Sequence, residues 1–250
     1  MTIQAAQPPE FIRLLAHNIR WAILKALTIG DHRVQELVTL VNEPMNLVSY
    51  HLKKLRDDAL VTTRRSEADG RDVYYSLDLN RLRQMYFNAG MALHPAIGMN
   101  VPSIDVSQLD RKRILFVCTH NSARSQMAEA LLRHLSQGYL DVFSAGSQPT
   151  TVHPDAIHTM DALGIEIRKQ MARPLSDFAE QSFDFVITVC DKAREVCPTF
   201  PGEGQQIHWG FPDPVIINDN TERIAAFEEI ASQLQSRIRL FLTTVAKESM

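Results

Sequence analysis

Beyond Arg111, short apolar runs alternate with amphipathic stretches, and this alternation constrains the fold more tightly than any other feature of the chain. The runs ILFVC (114–118), DVFSAG (141–146), FDFVITVC (183–190) and QIHW (206–209) have the length and the β-branched or aromatic content of strands. Ala123 to Leu135, Pro154 to Leu163 and Thr221 to Val245 are amphipathic at a helical period. Strands this apolar need cover on both faces, and strands joined through helices run parallel. The pattern therefore predicts a doubly wound α/β domain with a four-stranded parallel sheet. No internal repeat interrupts it.

The chain before Arg111 has a different rhythm. In PPEFIRLLAHNIRWAILKAL, the apolar residues Phe11, Leu14, Leu15, Ile19, Ile23, Leu24 and Leu27 predict two helices broken near His17. Val34, Leu37, Val38 and Val41 share a face of a third helix, and after the turn NEPMN a fourth carries Leu47, Leu52 and Leu55. VTTRRS and RDVYYSL read as strands of a hairpin joined by EADG, whose Asp-Gly pair is a turn signal. A further helix runs from Asn80 to about Met91, and the Pro- and Gly-bearing AIGMNVPSIDVSQLD follows it. The expected organisation is one domain over 1–95, a linker over 96–111 and a second domain over 112–250.

Composition narrows the class further. Hydrophobic residues at 45% and charged residues at 22% belong to a globular chain and exclude general disorder. The longest uncharged stretch, Gln84 to Ile104, is interrupted by Asn88, His94, Pro95, Asn100 and Pro102, so it is too polar to span a bilayer and no membrane partner is expected. MTIQAAQPPEF lacks the basic and apolar regions of a secretory signal, which predicts a cytoplasmic protein with reduced thiols. The three cysteines, Cys118, Cys190 and Cys197, are too few for a disulfide scaffold, which favours reactive or packed thiols. Residues 1–110 hold 12 Lys+Arg against 12 Asp+Glu, and residues 111–250 hold 14 against 17, giving the net −3. Nucleic-acid binding would then depend on local placement of cations and not on bulk charge.

The segment with most chemistry is ILFVCTHNSARSQMAEALL. An apolar strand ends at Cys118, a polar loop follows, and Arg124 with Ser125 opens a helix. The loop Thr119, His120, Asn121, Ser122, Ala123 and Arg124 is an expected oxyanion cradle. Its backbone amides point inward, the helix N-terminus adds positive potential, and a guanidinium can grip two oxygens of a tetrahedral anion. The same field favours a thiolate at Cys118, a nucleophile near neutral pH. A buried strand-end cysteine beside a capping loop would show the same bare C-x5-R spacing. The strand before, the helix after and Ser125, placed to hydrogen-bond the sulfur, favour the cradle.

Two further elements bear on that loop. GFPDP (210–214) follows a strand, and loops at the carboxyl ends of parallel strands converge, so Asp213 can face Cys118 and protonate a departing oxygen; an Asp before Pro is also an ordinary turn residue. TVCDKAREVCPTFP places Cys190 at a strand end and Cys197 beyond it in a C-x6-C spacing, with no partners nearby for a zinc set. If both reach the crevice of Cys118, the thiols can pass a disulfide along. Two core cysteines would show the same spacing.

Residues 112 to about 247 resemble the low-molecular-weight tyrosine phosphatases, and among them the thioredoxin-coupled arsenate reductases. The resemblance is carried by CTHNSARS, by Ser144 to Gly146, by Cys190 and Cys197, and by His208 to Pro214 in HWGF-x-DP. The chain departs from the phosphatase branch at Ala123, where a second loop cysteine is usual, and at Val215, Ile216 and Ile217, where aromatic residues are usual; both disfavour a phosphotyrosine substrate. The resemblance implies arsenate as substrate and Cys118, Arg124, Ser125, Asp213, Cys190 and Cys197 as catalytic residues. It implies a relay from a Cys118–Cys190 to a Cys190–Cys197 disulfide, and thioredoxin, glutaredoxin or a small thiol as electron donor. It also implies a potassium ion near Asn121, Glu129, Ser144 and Asp177.

The first domain resembles the ArsR-type winged helix-turn-helix repressors, through NLVSYHLKKLRDDALV and the wing TTRRSEADGRDVYYSL. The resemblance implies a homodimer on double-stranded DNA, with Asn46, Ser49, Tyr50 and His51 toward base edges and Lys53, Lys54, Arg64, Arg65 and Arg71 toward phosphates. Ala59 stands where a glycine is common at that turn. Residues 1–117 hold no cysteine, which excludes an arsenic–thiolate sensor there, so any response to arsenic would enter through the later cysteines. Two other functions fit these residues: a phosphatase fused to a regulator, and a non-catalytic transcription factor that binds an oxyanion or arsenite.

Overall fold

A computed structural model describes residues 7–94, 97 and 110–248. They form two compact units. The first runs to Arg64 and resumes at Asp72, and the second takes Arg65–Arg71 together with the described residues from Asp110 on. Most of the segment expected to be a linker lies outside the described residues.

In the first unit, α1 (Glu10–Leu15), α2 (Asn18–Ile29), α3 (Val34–Val41), α4 (Met45–Asp57) and α5 (Leu79–Leu93) accompany a sheet of β1 (His32–Arg33), β2 (Val61–Arg65) and β3 (Val73–Leu77) in the order β1-β3-β2. The break expected near His17 is a cap: His17 Nδ1 accepts from the Ile19 amide at 3.3 Å and starts α2. Asn42, in the left-handed region at φ 55°, ends α3, and Asp78 Oδ1 accepts from the Arg81 amide to start α5. Ala59 has φ 55°, the conformation that explains the glycine usual at this turn. Leu24, Leu27, Leu37, Val48, Leu52, Leu55 and Leu60 close the core. The sequence missed β1, whose two residues pair antiparallel with Tyr74 and Tyr75 and are too few to show a period.

In the second unit, β4 (Arg113–Cys118), β5 (Asp141–Gly146), β6 (Phe185–Thr188) and β7 (Gln205–His208) form one parallel sheet in the order β5-β4-β6-β7. Every residue of β4 from Ile114 to Cys118 is buried, and because successive side chains point to opposite faces, both faces of the sheet are covered there. The cover comes from α6 (Arg124–Leu135), α7 (Pro154–Ala162), α8 (Asp191–Val196) and α9 (Asn220–Glu248). Of these α6 packs on β4, β5 and α9, whereas α8 packs on β4 and β6. The strand expected over 183–190 ends at Thr188, because Cys190 leaves the sheet to cap α8. No helix among the described residues is long and apolar enough to cross a membrane.

The parallel registers gather chemistry at one edge. Cys118 is level with Gly146, and Thr188 is level with His208, so the loops after all four strands leave the sheet on the same side. Gly146 makes room for the loop after β4: a Cβ there would lie 2.7 Å from the Thr119 carbonyl oxygen and 2.9 Å from the Asn121 nitrogen, both backbone atoms. Gly146→Ala is expected to cost about 1–3 kcal/mol in equilibrium urea unfolding. Gly70→Ala, with nothing within 4 Å of its added Cβ, should stay within about 0.5 kcal/mol of wild type. Equal effects at the two positions would show that the loop does not need the bare backbone of Gly146.

Candidate active site

The loop from Cys118 to Arg124 is built around Asn121, which is fully buried and holds φ 47°, a conformation that asparagine adopts more readily than most residues. The carbonyls of Thr119, His120 and Ser122 accept from the amides of Gln148, Thr150 and His153 at 2.8–2.9 Å. The C=O and N–H of a trans peptide point in opposite directions, so the amides of His120, Asn121 and Ala123 face the other way. The Asn121 amide indeed donates to Cys118 Sγ at 3.1 Å. Ser125 Oγ lies 2.9 Å from the same sulfur and accepts from Asn121 Nδ2 at 2.9 Å.

From the other side of Asn121 the network runs outward. Asn121 Nδ2 also donates to Ser144 Oγ, and Ser144 Oγ donates to Glu129 Oε2. The amide of Arg173 and Gln126 Nε2 both donate to Asn121 Oδ1. Glu129 is ion-paired with Arg133 at 2.6 Å and with Arg173 at 3.2 Å, and Arg173 rests on the Phe178 ring. Asn121, Glu129 and Ser144 thus meet as expected, but Asp177 is exposed and makes no hydrogen bond or ion pair with them. The oxygens that would hold potassium are already engaged by guanidinium, amide and hydroxyl donors, so this set does not fit the ion. Among the described residues no group of three or more His, Cys, Asp or Glu side chains could hold a metal.

Arg124 is buried, and its guanidinium faces the loop after β7. Nη1 donates to the Phe211 carbonyl at 2.7 Å, and Nη2 pairs with Asp213 Oδ2 at 3.0 Å. Glu67 Oε2 lies 3.6 Å from Nη1, while Glu67 Oε1 accepts from the Asp213 amide at 3.0 Å. Burial lowers the Arg124 pKa, but Cys190, Asp213, Cys118 and Glu67 together raise it further, so the group stays a cation.

The other two cysteines occupy the ends of α8. Cys190 is buried, with its Sγ 3.4 Å from Thr119 Oγ1 and accepting from the Ala193 amide at the helix start. Burial pushes its thiol up, against the pull of Arg124. Cys197, half-buried at the far end of α8, is pushed up to about 11 by burial. Cys118, Arg124, Ser125, Asp213 and Cys190 are therefore gathered round one loop, and Cys197 stands apart by the length of a helix.

Sequence reasoning missed several neighbours. Thr119 carries no signal beyond its place in the loop, yet its Oγ1 lies 3.4 Å from Cys190 Sγ. His208 enters the sequence reading only through the resemblance; it is buried, its Nε2 lies 3.1 Å from Asp191 Oδ1 and its Nδ1 2.8 Å from Thr188 Oγ1. The conspicuous HWGF-x-DP pattern was the available signal for His208. Arg173 and Glu67 carried none, since each meets its partner only through tertiary contacts 44 and 57 positions away in sequence.

In the first unit, α4 turns Asn46, Ser49, Tyr50 and Lys53 outward from a face buried through Val48, Leu52 and Leu55, with Lys54 Nζ 5.9 Å over the Tyr50 ring. His51, expected at base edges, is instead buried against His17, with ring centroids 4.2 Å apart, because its position falls on the apolar side of the helix. Burial pushes its pKa down. Arg64 is not a free surface cation: it turns toward Asp31 at 4.0 Å and lies over the Tyr74 ring. Arg65 and Arg71 are exposed, and Arg71 pairs with Asp69.

Comparison with known proteins concerns the second half of the chain. Residues 113–250 match the low molecular weight phosphotyrosine protein phosphatase family. An arsenate reductase of Halalkalibacterium halodurans is 36% identical over 137 residues, 54% of this chain and 99% of that protein. One of Brevibacillus brevis is 35% identical over 135 residues, 54% of this chain and 97% of that protein. A solved arsenate reductase in the phosphate binding state shares 30% identity over 54% of this chain and 98% of its own, with a TM-score of 0.45. Through residues 113–250 the chain belongs to the low molecular weight phosphotyrosine protein phosphatase family, with arsenate reductases among its relatives.

Proposed function

We propose that the second unit is an arsenate reductase working through Cys118, Cys190 and Cys197. The observation that carries this reading is the approach of Cys190 to the Cys118 loop through Thr119 at 3.4 Å, a contact that phosphate-ester cleavage would not need. Arsenate binds to the loop amides and Arg124, and the Cys118 thiolate attacks arsenic. Asp213, at the rim on Arg124, gives a proton to the departing hydroxyl, which leaves as water. Cys190 then attacks Cys118 Sγ. The sulfur–arsenic bond breaks with its electron pair going to arsenic, arsenite leaves, and a Cys118–Cys190 disulfide remains.

Attack by Cys197 on Cys190 frees Cys118 and moves the disulfide outward, where thioredoxin, glutaredoxin or another dithiol reduces it by exchange. This step demands movement. Cys190 and Cys197 cap opposite ends of α8, so seven residues of helical rise hold their Cα atoms roughly 10 Å apart. A disulfide needs about 4.4–6.8 Å, and α8 must therefore unwind. The relay requires reduced thiols, consistent with a cytoplasmic protein.

We read the first unit as a winged helix-turn-helix module of ArsR type that binds double-stranded DNA as a homodimer. Asn46, Ser49 and Tyr50 on the exposed face of α4 suit a major groove, with Lys53 and Lys54 toward phosphates; Arg65 and Arg71, also expected at phosphates, lie on the segment that belongs to the second unit. The exposed Tyr86, Phe87 and Met91 on α5 offer apolar surface to a second copy.

Cys190→Ser is expected to abolish arsenate-dependent NADPH oxidation in the presence of thioredoxin and its reductase while leaving hydrolysis of a small aryl phosphate at the wild-type level. Retained arsenate reduction would remove Cys190 from the relay. In the reduced protein, alkylation of Cys197 by iodoacetamide should rise with a midpoint near pH 11. On unfolding, that midpoint should fall toward the ordinary thiol value of about 8.5. The folded pKa is the higher one, so this thiol's contribution to stability is complete below the unfolded value and is lost as pH rises toward 11. A folded-state midpoint near 8.5 would contradict its burial. For the first unit, replacing Lys53 and Lys54 together by Ala should weaken duplex binding and lower the slope of log Kd on log salt by about 1–2; an unchanged slope would place the phosphates elsewhere.

A further inference from the structure

The second unit contains a carboxylate that the relay does not use. Segment Arg65–Arg71 belongs to this unit, and its tip is tied down: Ser66 is buried, and its Oγ accepts from the amides of Ala68 and Asp69, both at 3.1 Å. The Glu67 amide donates to Asp191 Oδ2 at 2.8 Å, and its side chain reaches the Asp213 amide and the Arg124 guanidinium. One buried cation therefore faces two carboxylates, Asp213 at 3.0 Å and Glu67 at 3.6 Å. A doubly charged oxyanion in the loop would need the same buried guanidinium, and it would meet the partly buried Glu67 carboxylate there as a like charge.

We infer that Glu67 is a built-in competitor for the oxyanion, an affinity-setting residue that occupies part of the substrate's claim on Arg124. The inference rests on the reading of Cys118–Arg124 as the oxyanion loop. It differs from a role in merely holding the Asp213 loop, because a glutamine at 67 can still accept from the Asp213 amide but no longer repels an anion. Coupling of this kind is reciprocal, so an anion that gains when Glu67 is neutralised must itself loosen Glu67 when it binds.

Inorganic phosphate serves as the probe, titrated calorimetrically into the reduced full-length chain. Glu67→Gln and Glu67→Ala should each tighten phosphate binding by about tenfold, the step that ~1.4 kcal/mol produces. Glu203→Gln, at an exposed carboxylate outside the site, should not change it. In the wild-type protein, saturating phosphate should speed hydrogen exchange at the Glu67 amide, which a purely structural glutamate would not show. Unchanged or weaker binding in both Glu67 variants, with Arg124→Ala abolishing it, would overturn the inference while leaving the oxyanion loop in place. Phosphate binding that survives Arg124→Ala would overturn the loop reading and this inference with it.

Discussion

The left-handed backbone of Asn121 and the hydrogen bonds of its carboxamide hold the reactive loop in shape. The backbone turn aims the Asn121 amide at Cys118 Sγ, and the side chain sets Ser125 beneath the same sulfur while tying the loop to Ser144 on β5 and to the Arg173 amide. Each donor or acceptor stranded in such a buried network costs about 1–3 kcal/mol. An exposed ion pair such as Lys169–Glu166 contributes only about 0–1 kcal/mol. The loop is therefore held by its interior polar network far more than by the charges on the surface around it.

Charge in this site is supplied by arginines. Glu129, the carboxylate at the outer end of the network, is neutralised by Arg133 and Arg173, and the Phe178 ring backs the second of these. With guanidinium groups already there, a monovalent cation has no remaining task at Glu129. On the inner side Arg124 stands between two carboxylates, so the pocket that is expected to receive an anion has its strongest donor already engaged. Affinity for the anion is then a difference between competing ion pairs, and small changes in either carboxylate are felt directly.

The thiols are arranged by depth. Cys118 and Cys190 sit inside, on the loop and at the start of α8, whereas Cys197 is half-buried at the helix end. A short helix of six residues makes few hydrogen bonds of its own, and such helices are marginal without tertiary support. In the proposed relay, disulfide transfer across α8 and local unwinding of that helix would be one event.

Much of this was legible in the sequence. Apolar runs alternating with amphipathic stretches determined the parallel sheet, and the strand, loop and helix around Cys118 were legible in the same way, because both depend on local periodicity and turn chemistry. Asp213 and Cys190 were legible too, since parallel strands bring their carboxyl ends to a common edge. The two-residue β1, the burial of His51, the separation of Cys197 by a formed helix, and the partners of Glu129 and Arg124 were decided by the tertiary structure alone. Each depends on which side chains meet across tens of residues and on which helix face turns inward, and burial and ion pairing at that range leave no periodic trace in the chain.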